Sequence, residues 1–174
     1  MASSETWAKL RYFKKASSDN WGDPDAISDD LLLRLDDFRH YLGLSVNVLH
    51  GVKTSGHSSK SWHYGRKNES GGWKFQPCAV DVVMPGYKGH PLDLIFEAGR
   101  FGFTGIGYYP HWRWHGKAVG GMHLDMRPLS KEADGTLNYR ENRWMGVMKD
   151  GKQVYIPLSF ENLAKHIGER NGND

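Results

Sequence analysis

The sequence predicts an α+β fold: one domain with a small, mostly antiparallel sheet and flanking helices. Three observations carry that expectation. A chain of 174 residues that is 39% hydrophobic is long enough to bury one core without disulfides. Its periodic segments follow the order helix, strand, loop, strand, helix, strand, strand, with no repeat and no low-complexity linker. Near the end, RWMGVMKDGKQVYIPL alternates on both sides of Asp150-Gly151, the signature of a tight hairpin between antiparallel strands.

The first helix is expected within DPDAISDDLLLRLDDFRHYLG. Acidic and Ser residues suit its start, Leu31, Leu32, Leu35, Phe38 and Leu42 recur at helical spacing, and Gly43 supplies a stop. LSVNVLHG reads as a strand with Leu44, Val46 and Val48 on one face. Residues 51–78, rich in Gly, Ser, Lys and Asn, read as loop. CAVDVVMP is a short buried strand ended by Pro85 and Gly86, and PLDLIFEAGRFG a second helix with Leu92, Ile95 and Phe96 inward. TGIGYYP and GGMHLDMRP read as further strands of the same sheet. SFENLAKHIGER closes the chain as a helix capped by Ser159. The core is expected over about 20–128, with the hairpin and last helix over 140–170.

Seven Trp, eight Tyr and seven Phe mark a globular rather than a disordered chain. The formal charge of +3 is mild, and no block of Lys or Arg points to nucleic acid. A single cysteine, Cys78, excludes an internal disulfide and a Cys-rich zinc site. MASSETWAKLRYFKK contains no apolar run of signal-peptide length, and no stretch is long enough to span a membrane.

Four polar residues stand out. His63 lies in the loop, where a lone histidine is ordinarily just a polar loop residue. Asp81 sits inside AVDVV, and a carboxylate in a buried strand needs an ion pair, a capping partner or a metal. His123 and Asp125 are two apart in a strand, so their side chains share a face. Imidazoles with a carboxylate suit zinc, which keeps a water when the protein supplies three ligands. His57, His111 and His115 are further titratable residues. The last two belong to PHWRWHG, an aromatic segment expected to be an exposed loop that either lines a groove or packs on the sheet.

These blocks resemble the zinc D-alanyl-D-alanine carboxypeptidase family, which includes cell-wall peptidases, phage endolysins and the hedgehog signalling domain. Ser61, His63 and Gly65 match the first half of the signature S-x-H-x-x-G-x-A-x-D, with one residue fewer before the glycine, and Ala79 and Asp81 match the second half. Gly105, Gly107, Tyr109 and Pro110 follow the G-x-G-x-Y-P stretch of the phage and bacterial branch. His123, Asp125 and Arg127 then follow its H-x-D-x-R. The resemblance implies a peptidase with zinc held by His63, Asp81 and His123. The implied substrate is peptidoglycan stem peptide, cut by a carboxypeptidase or an endopeptidase. A monomer without nucleic-acid partners or membrane insertion is expected, and the lack of a signal peptide fits a protein made in the cytoplasm that acts on the wall after release or from a phage particle. Three departures stand out. RKNESGGWKFQPC separates Gly65 from Ala79, where the family usually has one residue. Gly51 and Lys53 stand for a glycine and arginine. Gly120 occupies the position of the acidic base. Asp125 is then the catalytic candidate by same-face geometry, with support of a ligand histidine as its alternative role.

Overall fold

Alternation along the strands decides which face of this sheet becomes core. The computed structural model describes residues 2–17, 19–53, 61–131, 137–138 and 142–167. Two helices come first: α1 (Ser4–Lys9), for which the sequence reading had no element, and α2 (Asp29–Leu42). Ser28 caps α2 by accepting from the Leu31 amide, and Gly43 ends it at φ 64°, a left-handed conformation that glycine adopts without a Cβ penalty. Leu31, Leu32, Leu35 and Phe38 are all fully buried, each contributing about 1.5–3 kcal/mol of transfer free energy.

The sheet begins with β1 (Asn47–His50). Two short strands follow, β2 (Arg66–Lys67) and β3 (Trp73–Phe75), paired as a small antiparallel hairpin inside the segment expected to be loop. Next come β4 (Ala79–Val83), α3 (Pro91–Arg100) and β5 (Gly105–Tyr109). The PHWRWHG segment is not a plain loop either, because β6 (Arg113–Trp114) and β7 (Lys117–Ala118) pair across it. The chain continues through β8 (Gly121–Asp125), the small pair β9 (Ser130–Lys131) and β10 (Leu137–Asn138), and the hairpin of β11 (Arg143–Lys149) and β12 (Lys152–Pro157). It reaches α4 (Phe160–His166), capped by Ser159 as expected; residues 168–170 of that expected helix lie outside the described residues.

Six strands form one sheet in the order β1-β4-β8-β5-β11-β12. Every pairing in it is antiparallel except that of β5 with β11, so the α+β expectation holds. The C-terminal hairpin is thus a continuation of the main sheet. Val80, Val82, Met122, Leu124, Ile106, Tyr108, Met145 and Val147 point to one face and join α2 and α3 in a single apolar cluster. Phe96 corrects the sequence reading of α3: it is 68% exposed, while Leu94, Ile95 and Ala98 turn inward. Ile95 already occupies the buried stripe, and one residue further rotates the side chain by about 100°.

Candidate metal centre

The opposite face of the sheet carries the polar residues, brought into line by register. Asp81 pairs with His123, His123 with Gly107, and Gly107 with Trp144, so one row crosses four strands. The row extends to His50 on β1 through a register shift between Val48 and His50. Without that shift His50 would share the inward face of Val46 and Val48; the bulge turns it to the polar side. The adjacent row pairs Asp125 with Ala79 and Gly105.

His63 arrives from the loop. Its backbone is pinned at both ends: the Lys53 amide donates to the His63 carbonyl at 3.2 Å, and the Cys78 amide donates to the Trp62 carbonyl at 3.1 Å. Gly65, at φ 64°, makes the turn that follows. A Cβ there would lie 2.6 Å from the Phe75 carbonyl oxygen and the Pro77 nitrogen, so the β2–β3 hairpin packs directly against the His63 loop.

Hydrogen bonds fix the orientation of both imidazoles. His63 Nδ1 donates to the Gly51 carbonyl at 2.6 Å, which turns the lone pair of Nε2 inward. His123 Nε2 donates to Asp125 Oδ2 at 2.8 Å, which turns Nδ1 inward. His63 Nε2, His123 Nδ1 and Asp81 Oδ1 then surround one point, separated by 3.2, 2.9 and 3.3 Å. His50 Nδ1 lies 3.5 Å from the other carboxylate oxygen, Oδ2. All three inward residues are buried, and three electron pairs directed at one another need a positive charge between them. A proton on His123 relieves one pair; a cation relieves all three. Tetrahedral ligands with bonds of about 2.0–2.1 Å stand about 3.3 Å apart, close to the separations here, and two nitrogens with one carboxylate oxygen suit zinc.

The electrostatics agree with a cation-seeking cluster. Burial disfavours the charge on Asp81, but hydrogen bonds from His123, His50 and His63, made when a proton rather than an ion occupies the triangle, outweigh it and hold the carboxyl well below its usual range. Burial likewise opposes charge on His123, yet hydrogen bonds to Asp125 and Asp81 raise its pKa to about 9.

Asp125 is fully buried and stands behind His123, away from the cavity. Besides His123, it accepts from the Arg127 amide at 3.0 Å and from Arg127 Nε at 2.9 and 2.8 Å. Burial works against its charge, and the His123 and Arg127 bonds more than reverse that, leaving its carboxyl far below the usual range. A carboxylate so occupied and enclosed cannot reach a water in the cavity. Its geometry is that of the supporting role rather than of a base.

The cluster opens into a cavity of about 730 Å³. Lys53, Arg113 and Arg127 contribute cationic groups to its wall, while Trp62, Tyr109, Trp112, Trp144 and Tyr155 give aromatic surface. His111 is absent from that lining and meets Gln153 Oε1 at 3.3 Å; His115 is exposed and packs against Trp114; His57 lies outside the described residues. His50, Trp144 and Tyr155 were not singled out from sequence. The bulge hid His50, and the two aromatics read only as alternating residues of a hairpin. No helix among the described residues is long and apolar enough to cross a membrane. Comparison of the chain with protein-family models, curated proteins and solved structures finds no match in any of the three.

Proposed function

We propose that this chain is a zinc-dependent peptidase that hydrolyses an amide bond in the stem peptides of bacterial peptidoglycan. The observation that carries the reading is the convergence of His63 Nε2, Asp81 Oδ1 and His123 Nδ1 at the wall of an open cavity. The resemblance of the three sequence blocks around these residues supplies the substrate class. Zinc bound by this triangle supplies Lewis acidity, polarising a carbonyl and lowering the pKa of water toward neutrality.

The chain's own residues prepare the site. The Gly51 carbonyl and Asp125 hold the two imidazoles so that no rotation is needed to present their inward nitrogens. Lys53, Arg113 and Arg127 make the cavity attractive to a substrate bearing carboxylates. Aromatic walls exclude bulk water from its sides and strengthen those interactions. In the overall step, a water oxygen bonds to the carbonyl carbon, the carbon–nitrogen bond breaks, and the water proton leaves on the amine.

A second reading has a specific observation behind it. Gly120 stands where the resembled family carries its acidic base, and Asp125 is enclosed. A zinc-holding module that binds the wall without cutting it is compatible with both facts. Elemental analysis of wild type and His123→Ala, paired with turbidity of purified cell walls, separates the readings. The peptidase predicts about one zinc per chain and wall lysis, both lost in the variant. Zinc together with co-sedimentation on walls but no lysis establishes the binding module, and a wild type without zinc refutes the centre itself.

A further inference from the structure

We propose that the Tyr109 hydroxyl donates the hydrogen bond that stabilises the negative charge developing on the carbonyl oxygen during hydrolysis, with the Trp144 indole as its positioning residue. This inference rests on the peptidase reading. It assigns a catalytic role to a residue that the sequence analysis noted only as part of a motif.

Tyr109 ends β5, two residues after Gly107, and therefore projects from the same face as the row through His123. Only 5% of the residue is exposed, yet it lines the cavity with His63, Asp81 and His123. Its ring has almost no freedom. On one side it stacks on Trp112, with centroids 4.0 Å apart and planes 12° from parallel. On another it lies across Gly146, where an added Cβ would come within 2.2 Å of Tyr109 Cε1. A clamped ring delivers its hydroxyl to a fixed point, which is the geometric requirement for preorganised stabilisation of charge.

The hydrogen-bond polarity is also defined. Trp144 Nε1 donates to the Tyr109 hydroxyl oxygen at 3.0 Å. An indole N–H has no acceptor capacity, so this bond occupies an oxygen lone pair and leaves the phenolic hydrogen to be donated; the neighbouring Tyr155, which lines the same cavity, is its partner until a substrate carbonyl replaces it. Donation into the oxygen also strengthens the phenol as a donor in turn. Burial keeps the phenol protonated, raising its pKa above the usual value. The same indole packs against His123, with ring centroids 5.2 Å apart, so one rigid side chain sets both the donor and a ligand. Gly107 makes this possible: a Cβ there would lie 2.5 Å from Trp144 Nε1 and Cε2.

Tyr109→Phe keeps the ring and its packing and removes only the hydroxyl. The expected result is a fall in kcat of about 10²–10³, the loss typical of one oxyanion donor, with KM within about threefold and zinc content unchanged. A readout independent of turnover is the affinity for a phosphinate peptide, a tetrahedral anionic mimic, against that for a planar, uncleaved amide analogue. The variant should lose about tenfold or more for the phosphinate and nothing for the amide. Trp144→Phe, which removes the indole N–H, should shift both readouts the same way by a smaller factor. A Tyr109→Phe protein with wild-type kcat, or one that loses equal affinity for both analogues, overturns the assignment. A wild type that holds zinc but cleaves no wall peptide overturns the peptidase reading instead, and that outcome is seen before any variant is made.

Discussion

Replacing Gly107 with alanine tests the arrangement of the central row most directly. The added Cβ would stand 2.5 Å from Trp144 Cε2 and Nε1 and 2.8 Å from Cζ2, against the roughly 3.5–4.0 Å of an ordinary contact. The indole must therefore move by about 1 Å, and it has little room. Its N–H is bonded to Tyr109, His123 lies on one side, and the Arg127 guanidinium lies 5.1 Å from the ring centroid. Overpacking of this kind costs about 1–3 kcal/mol, and the broken hydrogen bond adds about 1 kcal/mol. The smaller entropy of an unfolded alanine offsets about 0.5 kcal/mol. The expected net loss is about 1.5–3.5 kcal/mol, or roughly 3–14 °C in Tm for a chain of this length. Urea unfolding measures it, with Gly86→Ala as the control, since no atom lies within 4 Å of a Cβ at that position. If the two variants unfold at the same urea concentration, the indole is not held against Gly107 and the account of the row is wrong.

Three other outcomes follow from the buried groups. Asp125→Asn preserves shape but removes the charge that holds His123 and Arg127, so zinc affinity should fall about 10–100-fold in a chelator competition; unchanged affinity would show that His123 needs no such support. Cys78, 8% exposed, is pushed up to about 12 by burial and by the nearby Asp125 charge, so at pH 8 iodoacetamide should label it in urea and not in the native protein. Its folded pKa lies above the ordinary 9.0, so the folded state holds more protons between pH 9 and 12. Stability should accordingly fall with rising pH across that window by up to about 1.4 kcal/mol per unit. Cys78→Ala should lose the first part of that limb, from pH 9 to 10, and show a shallower one above it, where the buried Tyr109 phenol contributes a fall of the same sign; an identical alkaline profile in the variant would refute the attribution.

The legible part of this molecule was local. Helical spacing placed α2, alternation and turn residues placed the β11–β12 hairpin, and Asp81 in an apolar run announced a buried carboxylate needing a partner. The same-face relation of His123 and Asp125 was correct, but spacing alone could not say that Asp125 bonds the far nitrogen of the imidazole. His50 escaped because a bulge interrupts the alternation that would otherwise send it inward. Trp144 escaped because its place beside His123 depends on β11 running parallel to β5, a pairing between segments 34 residues or more apart, from Tyr109 to Arg143. Such long-range neighbours leave no periodic trace. Phe96 shows the converse error, in which an apolar residue beside the buried stripe was assigned to it.

The strand order has an evolutionary consequence. The three inward donors belong to β4, β8 and the 61–65 loop, whereas Tyr109, Trp144, Gln153 and Tyr155 come from β5 and the outer hairpin. The boundary between these halves is the seam where β8 meets β5, and at that seam His123 faces a glycine. The outer hairpin is an edge element, paired in the sheet through β11 alone, with Gln153 of β12 also meeting His111. Beyond Trp144, which is tied to the triangle by its packing on His123, the sequence of β12 and its turn can drift or lengthen while the donors keep their spacing. A scaffold divided in this way lets selection alter the far wall of the cavity, at Gln153 and Tyr155, without moving the three donors or the Tyr109–Trp144 pair.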